Sequence, residues 1–272
     1  MKVYEVRRSD RFALSSTSKG NQIKWKIGSV WLKADSFGYE SISEALFSTF
    51  EKYVSGISFV DYSLCIIREV DESSYTDYFG CSSKDFLKDD CELISVYKIL
   101  NSFIESRKVL ASLSGVDLFR YVVKRCSEVT GIDEFRVGKY FSDIIKLDSI
   151  ILNEDRHLNN ICFIRNENRD FIFAPIFDNG LSLLSDLIDY SLSKPDIVCI
   201  NSIKSKPFSS SFSKQLKYVS DFNPLNIDYN GFLCELENCY VDFKIEEFER
   251  AKRVLLYMLK KRKGVAWNEV LI

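Results

Sequence analysis

Histidine occurs once in this 272-residue sequence, at position 157, and its eight cysteines form no CxxC pair. A lone imidazole and scattered thiols give no recognisable ligand set for zinc, so zinc chemistry is not expected. Most of the cysteines sit among apolar neighbours, as in Ile161-Cys162-Phe163, and read as buried reduced thiols, which argues for a reducing compartment. An excess of either charge is also missing. Against 37 Lys and Arg stand 39 Asp and Glu, a net charge of −2, so no global field favours an anionic membrane, and no direct nucleic-acid binding is expected. No apolar run approaches membrane-helix length, and the opening MKVYEVRRSDRFALSS places charges where a signal peptide would be apolar. The expectation is a cytoplasmic protein without membrane insertion, although a bacterial effector exported without a cleavable signal would have the same sequence.

What is present is a large apolar content, 46%, enough to fill a substantial core and to allow two lobes around a cleft. Residues 22–34 alternate apolar and charged positions about Ile27-Gly28-Ser29-Val30 and read as two strands with a tight turn. Ser41 to Tyr53 has helical spacing, and Ile57 to Glu69 returns to strand composition, giving β-β-α-β for the first third. Helical periods then dominate at Leu93 to Ser106, Val116 to Glu128, Glu134 to Ile151 and Glu246 to Arg262, with a strand pair at Ile161 to Ile164 and Phe171 to Ala174. The segment Ser73 to Asp90 reads as linker and Ser191 to Ser213 as an exposed loop. The resulting fold class is α+β: a β-rich amino-terminal lobe over 1–70 and a larger, mainly helical lobe over 71–272.

Polar and charged residues concentrate in Leu152-Asn153-Glu154-Asp155-Arg156-His157-Leu158-Asn159-Asn160, between an apolar helix and the strand pair. Phosphoryl transfer needs a carboxylate to orient and deprotonate the attacking hydroxyl and an oxygen nearby for Mg²⁺. Asp155 and Asn160, five apart on one loop, have that chemistry. Phe173-Ala174-Pro175-Ile176-Phe177-Asp178-Asn179-Gly180 ends a strand in a carboxylate before a turn, so Asp178 is a second candidate ligand. One carboxylate, one amide and the nucleotide phosphates suffice for Mg²⁺, which keeps several waters.

Asp155-Arg156-His157 with Asn160, followed by Asp178, resembles the catalytic and metal-binding loops of HipA-like serine/threonine kinases. Thr17-Ser18-Lys19-Gly20-Asn21-Gln22-Ile23-Lys24 resembles that family's phosphate loop, with Gly20, Gln22 and Lys24 in matching places, and Val30 to Asp35 resembles its nucleotide-lysine strand. The resemblance is clearest over 15–50 and 133–182. It implies a protein-kinase-like fold using ATP and Mg²⁺, with Asp155 as base, Asn160 and Asp178 on the metal, Lys33 on the nucleotide phosphates and His157 supporting the loop. It also implies Thr17, Ser18, Gly20, Gln22 and Lys24 around the phosphates, and a protein hydroxyl as acceptor. Thr17 stands where family members autophosphorylate, a modification that would put a dianion into the nucleotide site. Longer members carry an additional amino-terminal region and pair with a DNA-binding antitoxin; the length of this chain argues against that partner.

Each residue also has a plainer reading. Asp155 fits a turn or cap, Lys33 a solvent-facing strand position, and the 15–20 stretch a polar turn. Glu44 is the natural partner of Lys33, yet Ser41-Ile42-Ser43-Glu44 also fits a capping box, and Glu44 lies nearly opposite the stripe of Leu46, Thr49 and Tyr53. Lys194, Lys204, Lys206 and Lys214 read as a solvated loop, or alternatively as a docking or activation segment. Asp-Arg-His-x-x-Asn before a metal-binding Asp also resembles phosphoinositide kinases, and an ATP-binding pseudokinase acting as a scaffold or effector is a rival from a different class.

Overall fold

A computed structural model describes residues 1–12, 22–102, 110 and 112–270 of the chain. Thr17, Ser18 and Gly20, expected around nucleotide phosphates, lie outside the described residues. In chain order the elements are β1 (Lys2–Arg7), β2 (Lys24–Ile27), β3 (Val30–Ala34), α1 (Glu40–Glu51), β4 (Tyr62–Val70), β5 (Tyr75–Lys84), β6 (Glu92–Ser95) and α2 (Val96–Asn101). There follow α3 (Gly115–Thr130), α4 (Glu134–Ile151), β7 (Cys162–Arg165), β8 (Phe171–Phe173), α5 (Asp196–Ser202), α6 (Phe212–Tyr218), β9 (Leu225–Ile227), α7 (Tyr229–Asn238), α8 (Ile245–Arg262) and β10 (Trp267–Glu269).

Five strands form the amino-terminal sheet in the order β1-β4-β5-β3-β2, with β1 parallel to β4 and the other pairs antiparallel. The alternation in 22–34 becomes the β2–β3 hairpin, its turn made by Gly28 at φ +55°, a conformation that suits glycine. One face of the sheet closes over Trp25, Leu32, Ala34, Cys65 and Ile67. The sheet continues past residue 70: β5, in the stretch that reads as linker, pairs with both β3 and β4. Its serines and aspartate hide the strand from a composition reading, because only Gly80, Cys81 and Ser83 of its residues are buried. Gly80 is there for a close approach, since a Cβ would lie 2.3 Å from the Lys33 carbonyl oxygen. The expected Leu93–Ser106 helix is replaced at its start by β6, which pairs with β7; α2 begins only after Ser95, whose hydroxyl caps the Lys98 amide at 3.1 Å.

The main core joins the apolar stripe of α1 to α3, α4, α6 and α8. Helix α4 keeps the bounds that its periodicity suggests and is buried on every side from Phe141 to Ile151, which makes it the axis of the larger lobe. It ends at Leu152, left-handed at φ 58°, and this reversal turns the chain into the Asn153–Asn160 loop. In the stretch that reads as exposed loop, α5 forms, and Cys199 and Ile200 bury against the core.

Glu51, at the end of α1, is buried with both carboxylate oxygens lacking a hydrogen bond among the described residues. Burial first, then the charge of Glu44, pushes its pKa well above the ordinary carboxylate range. In the unfolded chain this group ionises near ~4.3, so stability is fully present below that pH and is lost as pH rises toward the folded value. Glu51→Met is therefore expected to gain stability that grows from pH 4 to pH 7, reaching about 1–3 kcal/mol in urea unfolding. A gain independent of pH would contradict this account.

Candidate active site

Lys33 stands on β3 with its side chain buried and its ammonium shared three ways. It donates to Glu44 Oε1 at 2.8 Å, Asp178 Oδ1 at 2.8 Å and the Tyr62 hydroxyl at 3.1 Å. The strand position that alternation leaves open between solvent and cleft thus faces inward. Burial opposes the charge on Lys33, but the carboxylates of Asp178 and Glu44 outweigh it and raise its pKa well above the ordinary lysine value. Asp178 is the converse case: burial resists ionisation, yet Lys33, then Lys24 at 4.0 Å, hold the carboxyl well below its usual range. Each charge thus keeps the other ionised within the cleft.

Glu44 forms no capping box. Helix α1 starts at Glu40, whose carboxylate accepts from the amides of Ser36, Phe37 and Gly38, while the Ser41 amide donates to Asp35. Glu44 is left to bind Lys33 and to accept from the Asn179 amide at 3.0 Å. Its place off the apolar stripe is no obstacle, since α1 is enclosed on nearly all sides.

The loop after α4 is held by its own polar groups. The Asn153 side chain accepts from the Asp155 amide at 3.0 Å, Asn160 donates its Nδ2 to the Asp155 carbonyl at 3.2 Å, and the His157 amide donates to the same carbonyl at 2.7 Å. This use of Nδ2 leaves the Asn160 amide oxygen as its remaining acceptor. The His157 ring lies 3.7 Å from Asp155 Oδ2, beyond hydrogen-bond reach, and neither ring nitrogen has a partner among the described residues.

Arg156, the middle residue of the motif, is the staple between the two loops. Buried and paired with Asp148 of α4 at 3.1 Å, it donates to the carbonyls of Asn160 (3.2 Å) and Phe177 (2.7 Å) and to the Asn179 side chain. The residues on either side of Asp178 are thereby fixed against the loop of Asp155 and Asn160. Asp178 itself is left-handed, φ 61°, an uncommon backbone state for a residue other than glycine. Sequence reading missed this role for Arg156, and it left Lys206 between a solvated loop and a docking or activation segment without its contact to Asp155, whose Oδ1 is 2.7 Å from the Lys206 Nζ.

Beside Asp155 opens a cleft of about 810 Å³ whose walls include Glu154, Asp186, Asp189, Lys204 and Lys206. Asp178 and Asn160 offer hard oxygen, the donor class that Mg²⁺ selects. No cluster of three or more His, Cys, Asp or Glu able to hold a metal is found among the described residues. Gln22 Nε2 is a buried donor without a partner among the described residues. The residues present therefore fit a magnesium–nucleotide pair. No helix among the described residues is long and apolar enough to cross a membrane.

No family model matches the chain. Over 180 residues it is 27% identical to the serine/threonine-protein kinase CtkA of Helicobacter pylori, an alignment that spans 63% of this chain and 50% of that protein. The chain thus covers about half the length of that relative. The crystal structure of the H. pylori proinflammatory kinase CtkA matches with a TM-score of 0.64 at 19% identity, over 93% of this chain and 90% of that one, which shows a shared fold. A chain from the Shewanella oneidensis MR-1 complex of HipA, HipB and operator DNA matches more weakly, with a TM-score of 0.39 at 10% identity over 93% and 67% of the two chains. The chain is thus similar in sequence to the serine/threonine-protein kinase CtkA and shares its fold.

Proposed function

We propose that this chain is a Mg-ATP-dependent serine/threonine protein kinase of the HipA-like type, which transfers the γ-phosphate of ATP to a protein hydroxyl and also autophosphorylates at Thr17. The observation that carries the reading is the Lys33 ammonium held between Glu44 and Asp178, each at 2.8 Å, while Arg156 locks Asp178 to the loop of Asp155. In this arrangement a cation for the nucleotide phosphates, a carboxylate for the metal and a carboxylate for the acceptor are fixed before any substrate binds.

In the proposed reaction Asp155 accepts the proton of the acceptor hydroxyl as its oxygen bonds to the γ-phosphorus, and the bond to the β–γ bridging oxygen breaks to release ADP. Lys33 would neutralise phosphate charge, Asn160 and Asp178 would hold Mg²⁺, and Thr17, Ser18, Gly20, Gln22 and Lys24 would lie around the phosphates. Mg²⁺, when bound, stabilises the charge that gathers on the transferred group. His157 supports the loop through its backbone without moving a proton.

Incubation with MgATP, a generic basic protein and phosphatidylinositol vesicles, followed by mass spectrometry, is expected to place phosphate on serine or threonine of the protein and on Thr17. Phosphate on the lipid alone would establish the lipid-kinase alternative, and nucleotide binding without transfer to either acceptor or to Thr17 would favour a pseudokinase.

A further inference from the structure

The segment after Asp178 returns to the catalytic loop 51 residues downstream of Asp155, where the Lys206 Nζ donates to Asp155 Oδ1 at 2.7 Å. An isolated surface ion pair is worth little, so the contact matters only if its geometry is built in. Here it is. Buried Gln215 of α6 donates its Nε2 to the Lys206 carbonyl at 2.9 Å and accepts from the Phe208 amide at 3.3 Å. The Ser205 hydroxyl donates to the Ser209 carbonyl at 2.7 Å. The Phe208 ring packs edge-on to Phe119 at 5.3 Å and against Phe141 of α4 at 6.1 Å. The helix that delivers Asp155 therefore also anchors the loop that delivers Lys206.

We infer that Lys206 is a catalytic residue that binds the γ-phosphoryl group during its transfer, an inference that rests on the kinase reading of the site. Asp155 has to reach the acceptor hydroxyl, and that hydroxyl has to reach the γ-phosphorus, so a cation beside Asp155 Oδ1 sits beside the group in flight. Among the described residues Asp155 is the one hydrogen-bond partner of Nζ, which leaves two of its three donors for phosphoryl oxygens. The side chain is part-exposed in the wall of the cleft, within reach of an incoming ligand. Lys33 lies at the Asp178 side of the site, so the two lysines divide the triphosphate, Lys33 serving the proximal phosphates and Lys206 the terminal one. Lys206 keeps its proton throughout; the hydroxyl proton goes to Asp155 and the leaving oxygen to ADP.

Calorimetry with the Mg²⁺ complexes of ADP and of the β,γ-imido analogue of ATP separates this role from others. Lys206→Ala is expected to weaken the triphosphate analogue about tenfold, the size of a charge-assisted hydrogen bond, and to leave ADP within about twofold. Lys206→Arg should recover most of the loss. The loss should persist in an Asp155→Asn background, because a lysine acting only through Asp155 would lose its effect there. Equal effects on both nucleotides, or an effect that vanishes with Asp155→Asn, would overturn the inference. So would faster phosphate transfer by Lys206→Ala, which would make the ion pair a latch. If the wild type binds nucleotide but transfers nothing, the kinase reading fails while the binding comparison still judges Lys206; no nucleotide binding overturns both.

Discussion

Arg156→Ala is expected to destabilise the fold by about 3–5 kcal/mol, the cost of leaving one member of a buried ion pair alone. Asp148, itself buried, would lose its cation, and the carbonyls of Asn160 and Phe177 and the Asn179 side chain would lose their donor together. Arg156→Lys is not expected to rescue, because one ammonium cannot span the carboxylate and three further acceptors that the planar guanidinium reaches. Urea unfolding reads the stability. A loss under about 1 kcal/mol for Arg156→Ala would mean that the two loops hold their places without the staple.

The second large effect is on chemistry rather than folding. Asp155→Asn keeps the shape of the side chain but removes the proton acceptor, so phosphate transfer should fall by about 10²–10⁴-fold. The Asp155 backbone is held by Asn153, His157 and Asn160 through its own amide and carbonyl, so the loop should survive the change. Nucleotide affinity and unfolding midpoint should therefore stay close to those of the wild type. Asp178→Asn differs in kind: Lys33 and Lys24 lose the carboxylate between them, and Mg²⁺-dependent nucleotide binding should weaken along with turnover.

These two variants probe residues that were unequally visible in the sequence. Asp155, Asn160 and Asp178 stand out because their polar runs interrupt apolar surroundings within about 25 residues, close enough to be read as one constellation. Lys33 is legible as a position but not as an orientation, since alternation alone cannot say which face of β3 meets the cleft. Glu44 looked misplaced because a stripe argument assumes one buried face, whereas α1 is wedged between the sheet and α8 and buries its polar side too. Arg156 stands within the motif yet its role is hidden: its partners lie at 148, 160, 177 and 179, and only the fold brings them together. Lys206 sits in a serine- and lysine-rich stretch whose composition reads as solvated loop; its anchor, Phe208 in the aromatic core, gives no periodic signal. The same limit explains β5, a strand with few buried side chains, and β1, whose charged residues mask its pairing with β4.

Transfer of labelled γ-phosphate from MgATP by the wild type, Asp155→Asn and Asp178→Asn, side by side, tests the central claim most directly. Label on the wild type and on an added protein, with both variants at background, is the predicted result. Equal labelling by wild type and Asp155→Asn, or no labelling by a wild type that binds the nucleotide, would contradict it.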